Sequence, residues 1–203
     1  MSESGKLQPF FHRLADLYSR MDAAYNATAG RYGFNCAGCT DNCCYTVFYN
    51  HTSIEYFYLM EGMALLSEEK RRAVVAKALD ARSQVDAAKA AGQKPRVLCP
   101  LNENGLCAMH GHRLMICQLH GIPYEIHYPG RAPFKGSGCE VFETRCAGGA
   151  YIPFDRTPFY SELAQLEQAV RQATGRNEKV KMTIAQMLSA DLPGDLSHAG
   201  GSR

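Results

Sequence analysis

Cys36-Ala-Gly-Cys39-Thr-Asp-Asn-Cys43-Cys44 places four cysteines within nine residues, and the other five cysteines all fall between positions 99 and 146. Thiolates are soft ligands that select zinc, copper(I) or iron–sulfur clusters. A C-x-x-C spacing lets two sulfurs grip one metal while the N–H groups of the loop point at them. The pattern is that of a metal site. Cys43 and Cys44 are neighbours, so their side chains leave the backbone in different directions and one small tetrahedral site has difficulty using both. At least one of the pair is expected to serve a second metal, a larger cluster or thiol reactivity.

A chain of 203 residues, 46% hydrophobic and 21% charged, has the composition of one globular domain with an apolar core. Its 22 Lys and Arg against 20 Asp and Glu leave a net charge of +2, too balanced for a polyelectrolyte partner of nucleic acid or of an anionic membrane. The stretch MSESGKLQPFFHRL carries an early acid, Glu3, and no apolar run of the kind a secretory signal or membrane span needs. A cytoplasmic location is expected, with no nucleic-acid or membrane partner. In a reducing compartment nine cysteines read as metal ligands or redox thiols rather than as a disulfide scaffold, and an odd number cannot all pair.

Upstream of the cluster, Phe10, Phe11, Leu14, Leu17, Tyr18, Met21 and Tyr25 recur mostly at three- and four-residue spacings. They predict an amphipathic helix from Pro9 to about Ala29, stopped by Gly30, whose aromatic stripe is core packing. Downstream, Thr52-Ser-Ile-Glu55 reads as a capping box opening a helix to about Leu66. Ser67 ahead of Glu68 and Glu69 opens a second helix, to about Ala91 near Gly92. At about 1.5 Å per residue, an antiparallel pair of these two helices brings the chain back, so that Cys99 is expected to face Cys36 and Cys39.

The segment from Val97 to Cys146 is rich in Gly, Pro, His and Cys and lacks periodicity. Loops and short strands are expected there, one around Ile122 to Tyr128, organised by metal rather than by a large apolar core. Thr157 followed by Pro158, with Gly175 as the stop, predicts a helix over Phe159 to Thr174. Thr183-Ile-Ala-Gln186 is a further capping box starting a short helix through Ala190, and the residues from Pro193 read as a frayed tail. The fold class expected is mainly α with an irregular, metal-organised cysteine-rich lobe and a helical hairpin between the two cysteine clusters. A single domain is expected, with its core over about 10–150 and a C-terminal helical extension over about 157–190.

The second stretch is Cys99-Pro-Leu-Asn-Glu-Asn-Gly-Leu-Cys107-Ala-Met-His-Gly-His-Arg113-Leu-Met-Ile-Cys117. With C-x-x-C-x-x-x-C-C before it, the chain resembles the YkgJ-type cysteine cluster family, described as a zinc- or iron-chelating domain. That family follows its first cluster with a helical spacer, C-P-x-L, a Gly-containing turn before Cys, and C-x-I-Y-x-x-R-P-x-x-C. The resemblance covers roughly residues 30 to 122, with His110 where Tyr is usual and Leu114 where Pro is usual. It implies a bacterial metal-binding protein with Cys36, Cys39, Cys43, Cys44, Cys99, Cys107 and Cys117 as the thiol positions and Arg113 as the family arginine. Relatives with a similar cluster include flagellin lysine methylases.

Cys139, in Gly-Ser-Gly-Cys, reads as sitting on a flexible turn suited to ligation and joins the candidate ligands, whereas Cys146 could as well be a free thiol. Arg113 carries five donors that can neutralise crowded thiolates, which makes it the candidate cofactor-contacting residue. His110, His112, His120 and His127 flank the cysteines, but the sulfur supply suffices without them. Asp41 and Glu103 read as turn caps, and Tyr45, Phe48 and Tyr49 as a shield for a cluster or as ordinary core. No Ser-His-Asp order, phosphate loop or dinucleotide fingerprint is present. The expectation is an iron–sulfur cluster protein, of the 4Fe-4S kind, acting in redox or as an accessory to modification chemistry, with a protein partner as one possibility. The alternatives are a zinc-binding structural or interaction module and a methyltransferase-like enzyme.

Overall fold

The computed structural model describes residues 3–36, 39 and 43–189. Helix α1 spans Glu3–Arg31 and carries Pro9 inside it, so it begins well before the position the sequence suggested. Proline removes one helical hydrogen bond, but Leu7 and Phe11 are buried on either side of it, and continuous packing of that stripe outweighs the local loss. The stripe through Leu14, Leu17, Tyr18, Met21 and Tyr25 is buried as the spacing predicted. The helix runs past Gly30, and the chain turns at Gly33, whose φ of +64° is open to glycine.

After a 3-10 turn at Cys43–Tyr45 and strand β1 (Tyr49–Asn50) come α2 (Ser53–Ala64) and α3 (Glu68–Ala90). These two do not pack as a hairpin. Helix α2 is buried around most of its circumference and packs against α1 and α6 (Thr157–Thr174). Helix α3 buries only a narrow stripe of small residues, Val74, Ala78, Ala81 and Val85, and gives it to α7 (Ile184–Ser189). Different apolar faces select different partners. The chain nevertheless returns to the first cluster, through an antiparallel bridge between Thr46 and Arg96 and a 2.8 Å bond from the Cys99 N–H to the Cys44 carbonyl.

The α2 cap is built differently from the expected box. Thr52 Oγ1 donates to Glu55 Oε2 at 2.6 Å, while Oε1 of the buried Glu55 accepts from the Tyr18 hydroxyl at 2.8 Å and the Met115 N–H at 2.7 Å. The free N–H groups of Ser53 and Ile54 go instead to Glu167 Oε2 of α6, at 2.8 and 3.0 Å. Once Glu55 is buried, tertiary donors claim its oxygens, and a second buried carboxylate takes over the cap. The local signals hold elsewhere. Ser67 Oγ accepts from the Lys70 N–H at 3.3 Å, and Thr183 and Gln186 cap each other at 2.9 and 3.1 Å.

Between α3 and α6 the chain forms two small ribbons, a 3-10 turn at His110–His112 and two short helices. Strands β2 (Asn102–Glu103) and β3 (Leu106–Cys107) pair across Asn104 and Gly105, whose φ values of +52° and +87° make the Asn-Gly turn that suits a tight hairpin. Helix α4 (Met115–Gln118) follows. Strand β4 (Tyr124–Ile126), within the predicted stretch, pairs with β5 (Phe134–Gly136), and α5 covers Glu140–Arg145. The apolar core organises this segment, contrary to the expectation of metal in its place, because Leu101, Met109, Leu114, Met115, Leu119, Ile122 and Phe142 are buried in the common core. Their spacing looked aperiodic because they come from several different short elements.

The helices beyond residue 157 are built into that core. Helix α6 starts at Thr157 itself, one residue after Arg156, and Asp155 Oδ1 accepts the Thr157 N–H at 2.8 Å. It buries Leu163, Leu166 and Val170 against α1 and α2. Strand β6 (Met182–Thr183) pairs with β1, which holds α7 against α3. Ala190 and the tail from Pro193 lie outside the described residues, and no helix among the described residues is long and apolar enough to cross a membrane.

Because Glu167 closes the α2 N-terminus from inside the core, Glu167→Ala should destabilise the fold by about 2–3 kcal/mol, the range for charged hydrogen bonds lost from a buried site. Glu162→Ala, which removes an exposed partner of Arg20, should cost under about 1 kcal/mol. Urea denaturation of the two variants checks the contrast.

Candidate metal centre

Each cysteine is placed by a different local device. Cys99 and Cys107 flank the β2–β3 hairpin, with the Asn102 N–H bonded to the Cys99 carbonyl at 2.9 Å and Asn102 paired across to Cys107. Cys117 rides on α4, whose leading N–H, that of Met115, is held by Glu55. Cys139 is fixed at the start of α5 rather than lying on a flexible turn. Its N–H donates to the Gly121 carbonyl at 2.8 Å, and its sulfur accepts the Phe142 N–H at 3.4 Å. Cys36 and Cys39 close a turn through a 3.2 Å bond between their backbones.

These devices bring the thiols onto the walls of two adjoining cavities. A cleft of about 1060 Å³ is lined by Cys36, Cys39, Cys43, Cys44, Cys107, Cys117 and Cys139. A smaller apolar cavity of about 80 Å³, walled by residues such as Val85, Val97 and Ile184, is lined by Cys43, Cys44, Cys99, Cys107 and Cys117. All eight cysteines expected as ligands therefore border this pair of cavities, while Cys146 lies elsewhere with its sulfur 3.9 Å from the Tyr32 carbonyl. Cys99 meets Cys44 rather than Cys36 and Cys39, because α3 swings out to α7 before the chain comes back. Among the described residues no three Cys, His, Asp or Glu side chains converge tightly enough to enclose a metal ion. The thiols share walls rather than a point, and ligation at about 2.3 Å from sulfur to zinc requires them to close in.

Arg113 borders both cavities. Its Nη2 lies 3.7 Å from Asp22 Oδ1, while its Nε is buried with no hydrogen-bond partner among the described residues. A buried N–H without an acceptor is costly, and an anionic thiolate centre beside it would supply one. Donor set and guanidinium together suit a soft, thiolate-bound metal or cluster.

The thiols differ in acidity. A hydrogen bond from Cys43, helped by the Asn102 amide and the Arg113 charge, brings Cys44 down to about 6, and the same bond with burial pushes Cys43 up. Burial pushes Cys99 up to about 12 and also raises Cys36, Cys107 and Cys117. In the metal-free chain these raised thiols keep their protons near neutrality, so a metal entering here displaces them.

Of the histidines, His110 and His120 line the cleft, and His120 meets the Phe48 ring at 5.1 Å. His112 instead packs on Tyr58 at 4.5 Å, and His127 lies 3.2 Å from Glu125. Phe48 lines the apolar cavity, whereas Tyr45 lies under Arg96 and Tyr49 is met by Lys89 and Lys181. Glu103 is on the exposed β2, and Asp41 lies outside the described residues.

Comparison with protein-family models, curated proteins and solved structures gives no match to the chain. The site is therefore read from its own residues.

Two of those residues carried no sequence signal. Tyr25 looked like the last member of a core stripe, yet it borders the cleft beside Cys36 and donates its hydroxyl to the His120 carbonyl at 2.9 Å. Gly121 makes this approach possible. Its φ is +132°, and a Cβ there would overlap the Tyr25 hydroxyl. Gly121→Ala should therefore destabilise the protein by more than about 1 kcal/mol and speed alkylation of Cys36 and Cys139. Adding Tyr25→Phe should recover part of that loss by removing the overlapping oxygen. A double-mutant cycle in denaturant reads the coupling.

Proposed function

We propose that the chain is a metal-binding protein of the cysteine cluster type, which holds iron–sulfur chemistry on the thiols of its two cysteine stretches and works in a reducing, cytoplasmic setting. The observation that supports this reading is the placement of eight cysteines from separate segments on the walls of two adjoining cavities that share the Arg113 side chain. The spacing C-x-x-C-x-x-x-C-C with C-x7-C-x9-C supports membership of the cysteine cluster family.

Within that reading the chain's own residues have separable tasks. Cys36, Cys39, Cys43, Cys44, Cys99, Cys107, Cys117 and Cys139 are the ligand pool. Arg113 balances their negative charge and offers its buried Nε–H to sulfur. Phe48, Val85, Val97 and Ile184 give one side of the thiols an apolar, low-dielectric wall. The other side opens into the large cleft, whose volume is that of a small-molecule site, which leaves space for a substrate or a partner's side chain. A bound cluster supplies one-electron transfer or a Lewis-acidic iron, and this suits redox work or an accessory role in modification chemistry.

Protein purified anaerobically should be brown and contain iron and acid-labile sulfide, as metal and sulfide analysis reads directly. Stoichiometric zinc without sulfide overturns the iron–sulfur assignment and gives the same thiols to a zinc module. Arg113→Met should lower metal occupancy while leaving the far-UV circular dichroism unchanged. Chelation should alter near-UV circular dichroism and open residues 97–146 to protease. The helical signal should persist, since α1, α2 and α6 pack together, and α3 packs on α7, without the thiols.

A further inference from the structure

The thiols are sorted by side as well as gathered. Cys99 touches only the apolar cavity, whereas Cys36, Cys39 and Cys139 touch only the cleft, and Cys43, Cys44, Cys107 and Cys117 border both. We propose that the chain holds two separate four-thiolate centres, an inner one on Cys44, Cys99, Cys107 and Cys117 and an outer one on Cys36, Cys39, Cys43 and Cys139. This rests on the metal-binding reading above but goes beyond it, in number and in ligand assignment.

The backbone argues for the inner set. The Cys99 N–H is bonded to the Cys44 carbonyl at 2.8 Å, so these two residues are held together across the gap between the stretches. Cys107 follows Cys99 around the Asn104-Gly105 turn, and α4 brings in Cys117. The electrostatic neighbours agree, for Cys99 feels Cys44 and Cys107, and Cys117 feels Cys99, Cys107 and Cys44.

The outer set has its own anchor. Cys36 lies beside Tyr25 and feels Cys139 and Cys39. Cys139 is locked through the Gly121 carbonyl, next to the His120 carbonyl that Tyr25 holds. Cys43, the other exposed thiol, borders both cavities and has Cys44, Cys117 and Cys36 as neighbours; its exposure places it with the outer set. The Cys43 and Cys44 thiols are hydrogen-bonded to each other and both border the two cavities, so the pair sits on the boundary, and giving one sulfur to each centre requires that bond to open when metal binds. A single tetrahedral metal or a single cluster takes four thiolates, which leaves four of the eight without a ligand role. Arg113, facing both cavities, serves the two centres together.

The centres differ in access. Cys36 and Cys43 are exposed, while the four inner thiols are shielded to a greater degree. The outer centre is the one expected to exchange metal or meet a partner first.

Cobalt(II) titrated anaerobically into the reduced, metal-free full-length protein tests this, with sulfur-to-cobalt charge-transfer absorption and native mass spectrometry as readouts. Two equivalents are expected for the wild type. Cys36→Ser and Cys139→Ser should each lose one equivalent, and the same one, while Cys99→Ser loses the other. A competing chelator should strip the equivalent that depends on Cys139 first. Cys36 is exposed, so its variant keeps the test alive should Cys99→Ser fail to fold. A single equivalent in the wild type, or loss of the same equivalent in Cys99→Ser and Cys139→Ser, overturns the two-centre proposal and leaves the metal-binding function standing. Failure of the wild type to bind any cobalt overturns both.

Discussion

Glu55 is where the architecture and the thiol site meet. Its carboxylate is buried and accepts from Tyr18 on α1, from Thr52 ahead of α2 and from the first N–H of α4. A carboxylate is tolerated in such a place only when donors satisfy it, and here three donors from three segments do so. Helix α4 is a single turn with no independent stability, so its position depends on this bond and on the burial of Leu114, Met115 and Leu119. Cys117 is carried to the cavity wall by that arrangement.

The same logic recurs at the other thiols. Glu167 reaches from α6 to seat α2, and the buried Arg156 stacks on Tyr124 at 3.6 Å while donating to the carbonyls of Leu119 and Ile122. Cys139 then hangs from the carbonyl of Gly121, inside the segment that Arg156 pins. The cavities are therefore shaped by the apolar core and its buried polar ties. Thiols positioned this way share cavity walls set by the core, and if the proposed metal binds there, that placement would lower the ordering cost of ligation.

What could be read from the chain follows from how far each signal reaches. The α1 stripe, the Ser67 cap and the Thr183–Gln186 box depend on residues within four positions of one another, and all of them hold in the structure. The cap of α2 depends on Glu167, 114 residues away from Ser53, and no local pattern announces it. Helix α3 and its stripe were legible, but the stripe does not say that α7 rather than α2 covers it. The cysteines to watch were plain from their spacing. Which of them meet was not, since Cys99 lands on Cys44 only because of where α3 goes. Tyr25 shows the limit most clearly, as an aromatic in a core stripe whose hydroxyl serves the cleft.

The separate allegiances of α2 and α3 leave the corner between them open at Leu65, while Leu66 packs against the core. Leu65 is 75% exposed, and the two helices it joins look to different neighbours. Residues inserted beside Leu65 should disturb neither the packing of α2 on α6 nor that of α3 on α7, since neither contact runs through it, and should leave the Cys44–Cys99 contact in place. The corner is thus a point at which lineages can diverge in length without disturbing the thiols. It is equally a point at which an engineer can graft a reporter or a tether onto the chain.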